Sequence, residues 1–253
     1  GKGVSWGGSL IRPEATGYGV VYFTSQMLSH INESIEGKSV VISGSGNVAQ
    51  FAAEKCIHLG AKVHTLSDSS GYIYDKDGLD SEKLAHIMYI KNTKRERISE
   101  YLNKYPKASF HSKQKPWGVK CSIALPCATQ NELDIKDAEL LKENNCMCVC
   151  EGANMPTTPK AIHFFKEANV LFAPGKASNA GGVAVSGLEM AQNSLRYNWS
   201  REEVDSKLKN IMEDIHNSCL EYGLENGKID YVKGANIAGF VKVADAMLAQ
   251  GVV

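Results

Sequence analysis

One short stretch, Ser43-Gly44-Ser45-Gly46-Asn47-Val48-Ala49, constrains the fold more than any other part of this chain. It is a G-x-G-x-x-A corner between an apolar run, Lys38–Ser43, and a helical pattern, Ala49–Leu59. In such a corner the first glycine permits a tight turn. The second lets an anion approach the backbone, and the small third residue lets helix and strand pack closely. The free N–H groups at the helix start then face the anion. A second strand, Lys62–Ser67, ends at an acid, Asp68, 22 residues beyond Gly46. Strand, corner, helix, strand and acid together read as a βαβ unit that takes the diphosphate of a dinucleotide.

The alternation continues along the chain. Strands are expected at Cys121–Leu125, Cys146–Cys150 and Val170–Ala173, with helices at Ile135–Glu143 and Pro159–Ala168. Nearly continuous apolar strands separated by helices indicate a parallel sheet covered on both faces. The expected class is therefore α/β: a doubly wound, mostly parallel Rossmann-type sheet with helices on both faces, followed by C-terminal helices. A leading helix starts at Pro13 and runs to about His30. Ser70–Leu79 predicts a hairpin turning at Lys76-Asp77-Gly78, and Asp80 opens a charged helical region that reaches about Tyr105. Beyond Ala173 the chain is rich in small residues to Gly182, and three helices follow. The middle one opens on the capping box Ser200-Arg201-Glu202-Glu203, and the last spans about Asn236–Ala249.

Composition closes off several classes. Among the 253 residues, Lys+Arg and Asp+Glu both number 28, so a polybasic nucleic-acid surface is not expected. No apolar run approaches the ~18 residues of a membrane span. The seven Cys have no C-x-x-C spacing. Cys146, Cys148 and Cys150 alternate as in a strand, which predicts three buried thiols on one face rather than a metal site. Unpaired thiols point to a reducing compartment, the cytoplasm. The His residues are scattered, so no metal is expected, and Asp75 and Asp77 read as turn chemistry rather than a calcium loop. Pro174-Gly175-Lys176-Ala177-Ser178 lacks the leading glycine of a triphosphate loop; Val170 stands there. The opening Gly1-Lys2-Gly3-Val4 has no Met and reads as the middle of a longer chain.

Six segments then carry a resemblance. They are residues 1–19 (GKGVSWGGSLIRPEATGYG), 43–49 (SGSGNVA), 124–132 (ALPCATQNE), 151–158 (EGANMPTT), 173–183 (APGKASNAGGV) and 234–240 (GANIAGF). In that order they resemble the hexameric, NADP-dependent glutamate dehydrogenases of the Glu/Leu/Phe/Val dehydrogenase family, over essentially the whole chain. The resemblance implies an oxidoreductase interconverting L-glutamate and 2-oxoglutarate plus ammonia by hydride transfer with NADP(H). It also implies longer family members, whose N-terminal domain carries the substrate lysines, the reactive lysine and a proton-shuttling aspartate. No catalytic residue is then expected in this portion, which alone should bind cofactor weakly and turn over nothing. Residues 1–185 would form the dinucleotide-binding domain, and 186–253 a helical segment returning toward the N-terminal substrate and oligomerisation domain. A homohexamer is implied for the full-length protein, and a monomer remains open for this portion.

The resemblance assigns roles residue by residue. Gly44, Ser45, Gly46, Asn47 and Val48 form the diphosphate turn. Asp68 and Ser69 lie at the adenosine ribose, and Lys91 resembles a 2′-phosphate contact that can move along the basic run to Lys94 and Arg95. Thr16 and Asn179 lie near the nicotinamide carboxamide, with Ala128, Thr129 and Asn154 at its ribose. Val183 and Ser186 resemble the substrate wall, with the Ser186 hydroxyl toward the side-chain carboxylate. Plainer readings stand beside these: Thr16 and Ser186 can bond their own helix backbone, and Lys91 can be a solvated charge. Spacing alone makes Asp68 an NAD signal, whereas the neighbouring hydroxyls and basic run suit NADP. The alternatives are an NAD-dependent aliphatic amino-acid dehydrogenase and a non-catalytic dinucleotide-binding module.

Overall fold

In the computed structural model, which describes residues 2–251, strand β1 (Ser39–Ile42) lies at the centre of a seven-stranded sheet. Gly1, the first residue of the resembling N-terminal segment, lies outside the described residues. On one side of β1 stand β2 (Lys62–Asp68), β3 (Gly71–Leu79) and β4 (Ser109–Ser112); on the other stand β5 (Ile123–Leu125), β6 (Cys148–Cys150) and β7 (Leu171–Ala173). The five strands from β2 to β7 across the centre are parallel, while β3 and β4 add an antiparallel edge.

Two apolar cores follow from strand alternation. Val40, Ile42, Ile123, Leu125, Cys148 and Cys150 pack on one face, with α1 (Ala15–His30) and α2 (Asn47–His58). Val41, Ala124 and Val149 face the other way, toward α4 (Ile135–Glu143) and α5 (Pro159–Glu167). Helices thus cover both faces. Cys146 corrects one expectation: it precedes β6 and joins Cys121 in the second core, so the three alternating thiols do not share a face.

The turn expected at Lys76-Asp77-Gly78 is not a hairpin tip. The chain reverses at Ser69–Ser70, closed by the Asp68 carboxylate accepting the Ser70 N–H at 2.9 Å. Residues 75–78 instead bulge within β3, between the pairs Thr65↔Tyr74 and Val63↔Leu79. Asp75, buried at the bulge, meets Lys83 and the Tyr101 hydroxyl, each at 2.8 Å. The charged region after Asp80 is likewise not one helix. It breaks into α3 (Ser81–Met88), a π-turn over Tyr89–Lys94, a left-handed Arg95 (φ 58°) and a 3-10 segment, Ile98–Asn103. The Ile98 N–H donates to Asp68 at 2.9 Å, and an amide spent there cannot continue a helix. The edge strand β4 had no clear apolar pattern and was not expected.

The leading helix starts two residues after Pro13, with Glu14 in the capping position. Short α6 (Gly175–Ser178) leads into α7 (Gly181–Leu195) and α8 (Arg201–Gly223). The capping box at α8 forms as read, with Glu203 N–H to Ser200 Oγ at 3.2 Å and Ser200 N–H to Glu203 at 2.7 Å. A small β8–β9 hairpin (Leu224–Glu225, Lys228–Ile229) precedes α9 (Tyr231–Gln250), which begins early because Asp230 caps it through the Lys233 N–H at 2.9 Å. The boundary between 185 and 186 falls inside α7. Helices α1 and α7 meet backbone to backbone: a Cβ on Gly19 would lie 2.9 Å from the Gly181 Cα.

Candidate functional site

Strands β1 and β5 are parallel neighbours, yet the chain leaves β1 toward β2 and leaves β5 toward β6. This reversal of winding opens a crevice beyond their carboxyl ends, where doubly wound proteins place ligands. Gly44 sits at its lip with φ 87°, and a Cβ there would lie 2.8 Å from the Cys127 carbonyl oxygen. The Gly44 N–H donates to Ser67 Oγ at 2.7 Å, and the Ser67 N–H returns to Gly44 O at 2.9 Å. The corner is thereby fixed to β2. Gly46 has an ordinary φ of −83°, starts α2 and receives no side-chain cap. A Cβ on it would meet nothing within 4 Å, and Ala49 behind it is fully buried. An uncapped helix start facing an open notch fits a diphosphate.

Two glutamates, half-buried Glu132 and buried Glu151, each quoted in a sequence segment but given no role there, shape the next two loops. Glu132 accepts the Ser43 hydroxyl at 2.8 Å and the Ala128 N–H at 3.0 Å. Burial raises its carboxyl above the usual range, while these donors and the Thr129 N–H pull it back. Glu151 accepts the Gly175 N–H at 2.6 Å and the Thr157 N–H at 3.2 Å, and burial raises it too. The loops are laced together by Asn131 N–H to Met155 O and Leu133 N–H to Pro156 O, both 2.9 Å. The Asn179 amide donates to Asn154 Oδ1 at 2.8 Å.

A cavity of about 670 Å³ lies among these loops, α1 and α7. Seven of the expected residues line it: Thr16, Val48, Ala128, Asn154, Asn179, Val183 and Ser186. Gly44, Ser45, Gly46, Asn47 and Thr129 are not among its lining residues; the first four form the neighbouring corner. Arg12 lines the cavity and was not singled out from sequence. Its Nε donates to Ser186 Oγ at 2.8 Å, while Ser186 itself donates to Gly182 O at 3.1 Å. The backbone bond foreseen for Ser186 therefore forms, together with a guanidinium contact. The signal available was a cation just before Pro13 at the start of a helix.

Asp68, Ser69 and Lys91 gather at the end of β2, away from that cavity. Both oxygens of Asp68 are engaged: Oδ1 by the Ser70 N–H and hydroxyl, Oδ2 by Lys91 Nζ and the Ile98 N–H. Burial raises the Asp68 carboxyl, but the Ser70 and Lys91 bonds outweigh it and hold the group down at about 2. The basic run does curl back, and Arg97 Nη1 reaches Ser69 Oγ at 2.6 Å. Lys94 pairs with Glu96, whereas Arg95 and Arg97 have no carboxylate partner among the described residues. All seven cysteines are buried free thiols. No three His, Cys, Asp or Glu converge on a metal position among the described residues, and none of their helices is long and apolar enough to cross a membrane.

A doubly wound sheet, a glycine corner before an uncapped helix and a crevice at the switch of winding define an α/β protein of the Rossmann type. The family described as Glutamate/Leucine/Phenylalanine/Valine dehydrogenase matches residues 7–251, and the chain belongs to that family. It is 61% identical over its whole length to an NAD(P)-specific glutamate dehydrogenase of Xylanibacter ruminicola, covering 57% of that protein. It is 57% identical over its whole length to an NADP-specific glutamate dehydrogenase of Escherichia coli K12, covering 56% of it. The solved glutamate dehydrogenase of Plasmodium falciparum superposes with a TM-score of 0.97 at 50% identity, over 100% of this chain and 55% of that one. The chain thus spans little more than half the length of these relatives.

Proposed function

We propose that this chain is the cofactor-binding part of an oxidoreductase that interconverts L-glutamate and 2-oxoglutarate plus ammonia with NADP(H). The observation that carries the reading is one cavity bringing together seven residues from five separate stretches of the chain, beside a corner whose second glycine leaves a notch open. Gly44 to Val48 would hold the diphosphate, Ala128, Thr129 and Asn154 the nicotinamide ribose, and Thr16 and Asn179 the carboxamide. The cofactor supplies the hydride. The chain's own residues bind it, orient its reactive face toward α7 and keep water from that face.

Substrate choice rests on α7. Val183 and Ser186 form a wall, and Arg12 against Ser186 makes that wall polar and cationic. A guanidinium and a hydroxyl suit a second carboxylate, which disfavours an aliphatic amino acid as substrate. At the ribose end Lys91 neutralises Asp68, and Arg95 and Arg97 add unpaired charge, which favours NADP over NAD. The lysines and aspartate that the family resemblance assigns to catalysis are placed in the N-terminal domain of the full-length subunit. We place that subunit in a cytoplasmic homohexamer.

Fluorescence titration of the protein with NADPH and NADH tests the reading. Saturable NADPH binding tighter than NADH binding is expected. Absence of both would refute it. Glutamate-dependent NADP reduction is expected from the full-length subunit and not from residues 1–253 alone.

A further inference from the structure

In doubly wound dinucleotide sites the acid ending the second strand accepts the ribose hydroxyls, and its charge repels a 2′-phosphate. That role needs free carboxylate oxygens. A carboxylate offers about four lone-pair positions, and at Asp68 four donors already take them: two from Ser70, then Lys91 Nζ and the Ile98 N–H at 2.9 Å each. The side chain is only 9% exposed, and its charge is matched by Lys91. Nothing on it remains for a ribose.

What Asp68 grips is the returning basic segment. After the π-turn the chain reverses at left-handed Arg95, and Lys91 Nζ also donates to Glu96 O at 2.8 Å. Asn92 is held separately, through a reciprocal amide pair with Gln50 at 2.9 and 3.1 Å. Residues 96 and 98 are therefore fixed to the end of β2 through Lys91 and Asp68. Between them stands Arg97, whose guanidinium reaches Ser69 Oγ. A hydroxyl and a guanidinium without a carboxylate partner form a phosphomonoester contact.

We propose that Asp68 is a positioning residue for the 2′-phosphate of NADP(H): it fastens residues 96–98 to β2 so that Arg97 stands beside Ser69. This rests on the NADP reading above, and it reverses the usual sign of the acid's effect. Removing the acid here weakens the phosphorylated cofactor.

The test is Asp68→Asn. An amide is nearly isosteric but uncharged: its NH₂ would confront either Lys91 and the Ile98 N–H or the Ser70 N–H, donor against donor, and in both orientations the ion pair that anchors Lys91 is lost. NADPH affinity is expected to fall about tenfold, from loss of a charge-assisted contact. NADH affinity should stay within about twofold, since no contact to its unphosphorylated ribose is lost. Hydrogen exchange across residues 95–99 should quicken in the variant without any cofactor present. If Asp68→Asn does not fold, Lys91→Met gives the second arm: it removes the cation but leaves Asp68 its Ser70 and Ile98 donors, and NADPH alone should again weaken. Tighter or unchanged NADPH binding in Asp68→Asn, or equal loss of both nucleotides, overturns the proposal. Unaltered exchange at 95–99 overturns it too. If the unmodified protein binds neither nucleotide, the cofactor reading itself falls, whatever the exchange data show.

Discussion

The two glycines of the corner separate folding from binding, and a pair of alanine variants reads them apart. Gly46 has a φ that any residue adopts, and its Cβ direction is open. Gly46→Ala should fold normally, because stiffening of the unfolded chain, about 0.4–1 kcal/mol, offsets the poorer N-cap that alanine makes at the start of α2. The new methyl would nevertheless occupy the notch in front of the α2 start. If the diphosphate lies there, its approach is blocked, and a loss of at least about 2 kcal/mol, roughly 30-fold in Kd, follows. Gly44→Ala behaves oppositely. Its φ of 87° is left-handed, and the Cβ would lie 2.8 Å from the Cys127 carbonyl oxygen. Backbone strain of roughly 1–2 kcal/mol plus displacement of the β5 loop puts the cost at about 2–4 kcal/mol. For a chain of this size that is a Tm loss of roughly 4–16 °C. Thermal melts and NADPH fluorescence titrations of both variants suffice. A folded Gly46→Ala that binds NADPH within twofold of the parent would show that the notch is not the diphosphate seat.

Three further outcomes follow from side chains at the site and in the core. Arg12→Met in the full-length enzyme should raise the KM for glutamate at least about tenfold, through loss of a charged contact, while leaving the NADPH Kd within twofold; steady-state kinetics with a parallel titration will show this. Glu132→Ala strands the Ser43 hydroxyl and the Ala128 and Thr129 amides and should cost about 2–4 kcal/mol in denaturant unfolding. Glu132→Gln should cost less than half of that, because burial already disfavours the charged form. His216, buried against Tyr231, is held down to about 4 by burial and by His30. A base depressed in the fold contributes stability present above its ordinary value of 6.5 and lost as pH falls through about 4. His216→Gln should therefore flatten the decline of Tm between pH 6.5 and 4.

The parallel half of the sheet was legible because its strands are short apolar runs that no other element accommodates. The corner could be read because each of its small residues answers a different geometric need. The edge was harder. β3 carries its bulge where Asp75 is buried by Lys83 and Tyr101, partners 8 and 26 residues away that no local pattern announces. The helical charge pattern after Asp80 breaks for a similar reason, since the Ile98 amide is claimed by Asp68, 30 residues earlier. At the candidate site, the left-handed turn at Gly44 could be read from motif alone. Arg12 and Ser186 meet across 174 positions, and that pairing exists only in three dimensions.

The close crossing of α1 and α7 has one more consequence. With Gly19 and Gly181 in backbone contact, no side chain lies between the two helices to act as a bearing. Thr16 on the first and Ser186 on the second are then parts of one stiff jaw. Sliding or rocking of one helix on the other would need the two backbones to part, so the spacing between Thr16 and Ser186 is set by the fold itself.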